Sequence, residues 1–402
     1  MSAVAGRPAS AAGGAVEPVV APPPGNPRYP HVDALRAFAA LSVLVFHTAF
    51  TSGATTAWYG AVVGRLEIGV ALFFAISGFL LYRPFVAANY ARAPRIRTRD
   101  YLRRRVLRIV PAYWLALTVL AIYPGLAGVF TGDWWIYYGF GQIYSLGTFV
   151  NGIPQAWTLC VEATFYLALP LYALALRGIC RGRSPRTVVT VELALLAVLA
   201  LASLAFRTAS IASGPSVAFA WLPGMFGWFA PGMALAVVSV ALARRERPWR
   251  PAELVARHPA LVWAAAGLAF AALAATVSPP QPTGTIYTEG ESFRLYVLSA
   301  AVAVLVLVPA VAGVSGGGWP RRLLSVPALA WLGLISYGIY LWHHTPMVWL
   351  ADHGALDWLP GSGFLVLTAL TAAVGIGAAA ASFYVVERPL LRFKDPRRRR
   401  AD

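Results

Sequence analysis

Arg36 and His47 stand eleven residues apart in the segment HVDALRAFAALSVLVFH, and ionisable side chains are costly to bury in so apolar a stretch. On a helix, eleven residues make three turns and about 20°, so both side chains leave one face, about 16 Å apart along the axis. Such a face offers a cation that can hold an anion at one end and an imidazole that can move a proton at the other. Asp33, one turn before Arg36, is an accessory candidate. Each residue also has a plainer reading: Arg36 as an anchor snorkelling to the membrane surface, His47 as a packing histidine.

Three further groups could join this chemistry. Glu162, in QAWTLCVEATFYLALP, is expected about as deep as His47, where a carboxylate would raise the basicity of the imidazole and fix its tautomer. His343 and His344, in ISYGIYLWHHTPM, fall at the same outer depth; neighbours on a helix point ~100° apart, so one is expected to face the site and the other to be structural. In DYLRRRVLRIVPAYW, Arg105 and Arg108 share a face with Arg104 close by, a fork able to grip phosphates, although topology and anionic lipid would also explain the charge run. Between the two ends, LFFAISGFLL puts Ser77 and Gly78 near the midplane, a gap for close helix packing or a thin substrate, with no base expected beside Ser77.

The elements that must hold these residues are membrane spans. Of the 402 residues 58% are hydrophobic and 12% charged, about half the ~25% of a soluble domain, which excludes a water-soluble globule. Apolar runs near 35–52, 67–85, 106–123, 156–176, 188–206, 217–241, 259–277, 294–313, 327–351 and 362–386 predict an all-α polytopic bundle of about ten spanning helices. Of the 33 Lys and Arg, all but Arg65, Arg207 and Arg294 fall in segments on one side of such a bundle. That side is then the cytoplasm, with both termini in it. The net charge of +17 thus reflects topology rather than a nucleic-acid surface.

Residues 1–30 read as a flexible cytoplasmic tail, 31–390 as the membrane domain and 391–402 as a basic tail. Cys160 and Cys180 have no ligand or CxxC spacing, so no metal and no thiol chemistry is expected. The longest outer segment, 124–155, carries Trp134, Trp135, Tyr137, Tyr138, Phe140 and Tyr144. It reads as an aromatic belt at headgroup level; with Gln142 nearby, and Trp157 just beyond, its aromatic faces would also suit a sugar.

On these segments the chain resembles the membrane-bound acyltransferase 3 family, which O-acylates sugars, cell-wall polymers and secondary metabolites. The resemblance covers residues 30–390 and rests on Arg36 with His47, FFAISGFL from Phe73, RRRVLRIVPAYW from Arg103, AWTLCVEATFYLALP from Ala156, SYGIYLWH from Ser336 and VERP from Val386, in that order. It implies functional roles for Arg36, His47, Arg105, Arg108 and Glu162. Two acidic residues common in the family are absent, since Ala71 and Ala163 stand in their places.

The resemblance further implies acyl-coenzyme A, acetyl-CoA in particular, as donor, its phosphates on Arg36, Arg105 and Arg108 and its arm passing Ser77 towards His47. His47 would be the general base, oriented by Glu162, acting on a hydroxyl of a carbohydrate or secondary-metabolite acceptor of the cell envelope. His343, Asp33 and Trp157 are accessory or acceptor-side candidates. From the residues alone two rivals stand beside this reading: a transporter or flippase of a polar or lipid-linked molecule using the buried charges as a relay, and haem bound between His47 and His343.

Overall fold

A computed structural model describes residues 29–91, 93–244, 249–281, 287–312 and 318–394, so most of both expected tails lies outside the described residues. Among the described residues every regular element is helical, and nine helices are long and apolar enough to cross a membrane. The chain is a multi-pass membrane protein. We label the helices that matter here α1 (Pro30–Thr51), α2 (Gly69–Tyr90), α3 (Thr98–Leu120), α4 (Trp157–Ile179), α5 (Pro185–Ala212), α6 (Leu222–Leu242), α7 (Pro259–Thr276) and α8 (Glu289–Val311). Three short helices follow, α9 (Pro327–Leu334), α10 (Ser336–Trp342) and α11 (His344–Asp352), and then α12 (Gly363–Ser382).

Lipid tails are as apolar as leucine, so the bundle is held by close packing rather than by removing apolar surface from water. Small residues set the approach: a Cβ on Gly78 of α2 would overlap the Phe229 carbonyl of α6, and one on Gly333 of α9 the Asp33 carbonyl of α1. The room at Gly78 is therefore filled by backbone and holds no substrate. Phe229 then stacks between Phe74 and Phe165, with ring centroids 4.4 and 4.1 Å away, tying α6 to α2 and α4. Of the most apolar stretch leading through α2, 61% is buried, against 17% in α5 and α7, so α2 is central and those two face lipid.

The expected span 327–351 differs: it is bent at Ile335 and His343 into three pieces, none of them spanning length. Pro346 has no N–H to return to the Trp342 carbonyl, which accounts for the second bend. Its surroundings show what the bend is for. Gln155, just before α4, is buried and its amide donates to the Tyr340 and Leu341 carbonyls at 3.1 Å each. The start of α4 is thereby sunk against α10, one turn short of His343.

Candidate active site

Two polar centres share the interior of the bundle. The outer one is built on α1 and on the bend between α10 and α11. His343 is 0% exposed, and its Nδ1 lies 3.1 Å from the Ile339 carbonyl, one turn back. A carbonyl only accepts, so that nitrogen carries the proton and Nε2 of the neutral ring offers a lone pair. His47 Nδ1 is 2.8 Å from that Nε2 and must donate to it. The chain of donors leaves Nε2 of His47 as the unprotonated nitrogen.

Both members of the histidine pair reach His47. The rings of His343 and His344 lie 5.1 and 5.0 Å from it, the first stacked and the second edge-on. On an unbroken helix they would diverge; the bend at His343 brings them to one place, contrary to the expectation that only one could face the site. A metal bridging two ring nitrogens holds them about 4 Å apart, at ~2.0–2.1 Å each. The direct hydrogen bond between His47 and His343 closes that space, so the haem arrangement drawn from their matching depth does not fit.

The inner centre gathers residues from four helices. Ser77 on α2 donates to Oε1 of Glu162 at 2.6 Å, and the Tyr166 hydroxyl, one turn further along α4, donates to Oε2 at 3.0 Å. Arg36 and Arg108 lie within electrostatic range of Glu162, as they do of Glu387 from the VERP segment; Asp33 lies in range of Arg36. Arg105 sits beside Arg108 and Tyr166, its Nε buried with no hydrogen-bond partner. Glu387 is buried, and Ser382 donates to it at 3.4 Å.

This arrangement corrects two expectations. The hydrogen bonds of Glu162 go to Ser77 and Tyr166, not to His47, because Gln155 sinks the start of α4 and carries Glu162 down to the arginines. Ser77, expected to have no base beside it, has a carboxylate. Arg36 is turned into the bundle rather than out to a membrane surface, so it is no snorkelling anchor. Arg36, His47, Arg105 and Glu162 each keep some accessible surface although protein surrounds them, which marks them as lining internal space instead of filling a core.

Around the outer segment, Gln142 is buried, donating to the Phe149 and Ile153 carbonyls, and is not free for a sugar. Trp157 stacks on Phe149, with centroids 6.4 Å apart, and is half-buried. Trp134 and Trp135 are exposed, as headgroup-level aromatics would be. Tyr166 and Glu387 carry no expectation in the sequence reading. Tyr166 had a signal, being four residues from Glu162 and so on its face; Glu387 had one in being acidic within an apolar run.

Residues 29–384 match a family model of acyltransferase 3 proteins described as an acyltransferase domain. The chain is 26% identical over 377 residues to a putative peptidoglycan O-acetyltransferase, YrhL, of Bacillus subtilis (strain 168), covering 90% of this chain and 54% of that protein. It is 24% identical over 345 residues to the peptidoglycan O-acetyltransferase OatA of Listeria monocytogenes, covering 78% and 49% respectively. The chain thus spans about half the length of the curated relatives it matches. No solved structure matches it.

Proposed function

The chain belongs to the acyltransferase 3 family, and from that premise we propose that it transfers an acetyl group from acetyl-CoA to a hydroxyl of an envelope carbohydrate. The relatives' names make peptidoglycan the first acceptor to try. The observation that carries the reading is the spacing of the two centres: a cation cluster and an oriented imidazole on one face of α1, about 16 Å apart. That distance is of the order of the reach of a pantetheine arm.

On this reading the donor enters from the side that holds most of the Lys and Arg, the cytoplasm. Its phosphates meet Arg36, Arg105 and Arg108, and the orphan Nε of Arg105 is a donor awaiting an anionic oxygen. Glu162 and Glu387 hold the arginines in place until the phosphates arrive. The thioester reaches the outer centre, where Nε2 of His47 takes the proton of the acceptor hydroxyl while its oxygen attacks the thioester carbonyl. The C–S bond breaks, and the departing thiolate takes the proton back from the imidazolium. His343 keeps the imidazole in the tautomer that can act as base.

The test is product formation by purified protein in detergent, given acetyl-CoA and soluble peptidoglycan fragments. Mass spectrometry should find an added acetyl ester that His47→Ala abolishes while the variant keeps its thermal unfolding midpoint. An ester formed equally by the variant would refute the base.

A further inference from the structure

Helix α5 shows lipid most of its surface, yet its inward stripe is polar: Glu192, Ser203 and Arg207 lie on it with Leu196. Two of the three polar residues are answered by neighbours. Ser203 pairs with the Tyr296 hydroxyl at 2.9 Å and accepts from the Gly227 N–H at 3.0 Å. Arg207 donates to the Phe219 carbonyl and lies over the rings of Phe219 and Tyr296, at 5.3 and 5.1 Å.

Glu192 has no such answer. It is 0% exposed, and neither carboxylate oxygen makes a well-formed hydrogen bond. Among the described residues no arginine, lysine or histidine lies in electrostatic range of it. Its neighbours are Tyr82 of α2, also 0% exposed, Tyr172 of α4, whose ring is 5.6 Å from that of Tyr82, Tyr90 about two turns further along α2, and the Cys180 thiol at the end of α4. The three hydroxyls are likewise buried and make no well-formed hydrogen bond. The Tyr82 hydroxyl approaches both Glu192 and Tyr172, yet no well-formed hydrogen bond satisfies either carboxylate oxygen.

An unpaired carboxylate in a medium of low dielectric costs several kcal/mol. Glutamine would fill nearly the same space without that cost. A carboxylate faced chiefly by hydroxyls, with one thiol, Cys180, in range and no nitrogen donor, suits a hard monovalent cation, neutralised by the carboxylate and coordinated by hydroxyls.

We propose that Glu192, Tyr82 and Tyr172 form a binding site for a monovalent cation of the sodium class, buried between α2, α4 and α5 and separate from the acyl-transfer centres. The ion ties the lipid-facing α5 to the central α2 and α4, and its removal leaves a repelling charge at their junction. At the Tyr90 end, Arg244 donates to the Tyr90 carbonyl and covers its ring.

The test compares the thermal unfolding midpoint of the full chain, purified in detergent, in NaCl and in choline chloride of equal ionic strength. Sodium should raise it by about 3 °C or more, the size expected when a ligand well above its Kd binds only the folded state. Glu192→Gln should lose the rise; Tyr82→Phe, which removes one oxygen and keeps the ring, should reduce it. Should Glu192→Gln fail to fold, Tyr82→Phe decides by the same comparison. Equal midpoints for the native protein in both salts, or a rise that persists undiminished in the variants, would overturn the site and leave a protonated carboxyl with water as the alternative. The readout does not involve acyl transfer, so its outcome is independent of the function proposed above.

Discussion

Replacing His343 by alanine isolates the orienting half of the outer centre. The ring accepts from His47 Nδ1 at 2.8 Å and is held by the Ile339 carbonyl at 3.1 Å, so the substitution removes the acceptor that selects the His47 tautomer. A hydrogen bond of this kind contributes ~0.5–1.5 kcal/mol net. At about 1.4 kcal/mol per factor of ten, its loss corresponds to roughly a two- to twelvefold fall in rate. Removing the base itself costs more, ~10²–10⁴-fold. His343→Ala should therefore lower kcat about two- to twelvefold, far less than His47→Ala, with the KM for acetyl-CoA unchanged if the donor's phosphates bind at the other centre, as proposed. His343→Gln, whose side-chain oxygen can accept from His47, should recover part of the rate. Steady-state kinetics over a range of donor concentration measures all three. An unchanged kcat in His343→Ala, or a loss as deep as that of His47→Ala, would refute the tautomer chain, the latter by making His343 the base.

The remaining predictions divide the inner centre from the scaffold. Arg105→Ala should raise the KM for acetyl-CoA by about tenfold or more, as expected for a charge-assisted hydrogen bond of ~1.5–3 kcal/mol, with a smaller change in kcat; initial-rate kinetics checks the split. Glu162→Gln keeps an acceptor for one of Ser77 and Tyr166, presents an amide donor to the other and removes the charge beside Arg36 and Arg108, so it should alter the donor KM more than kcat. A selective fall in kcat would restore the discarded pairing with His47. Gly333→Val puts a branched side chain against the Asp33 carbonyl and should push α9 off α1, lowering the unfolding midpoint measurably; an unchanged midpoint would show that this contact is loose.

Much of the scaffold was legible in the chain, because length and hydropathy decide where a helix can span. The run expected at 259–277 is α7 at Pro259–Thr276, and that at 156–176 is α4 at Trp157–Ile179. Arg36 and His47 share a face of α1 for the periodic reason that their spacing gives. Depth was less legible. Counting residues from a helix end gives depth only where the helix starts at the membrane surface, and Gln155 breaks that condition by reaching two carbonyls 185 and 186 residues away, which no local pattern announces. The same limit hid the role of Pro346, whose bend brings two adjacent histidines to one partner. The partners of the arginines were hidden too, since Glu387 is more than 200 positions from Arg108 in the sequence and meets it only through packing.

The proposed function requires one bundle to carry an acetyl group from a donor held at the arginines to an acceptor activated at His47. Proteoliposomes holding the purified protein test it directly, with acetyl-labelled CoA on the side of Arg105 and a peptidoglycan fragment on the other. Labelled ester should appear on the far-side acceptor and free CoA on the donor side, and neither with His47→Ala. Label crossing the membrane without an ester bond, as a transporter would carry it, or ester formed undiminished by His47→Ala, would contradict it.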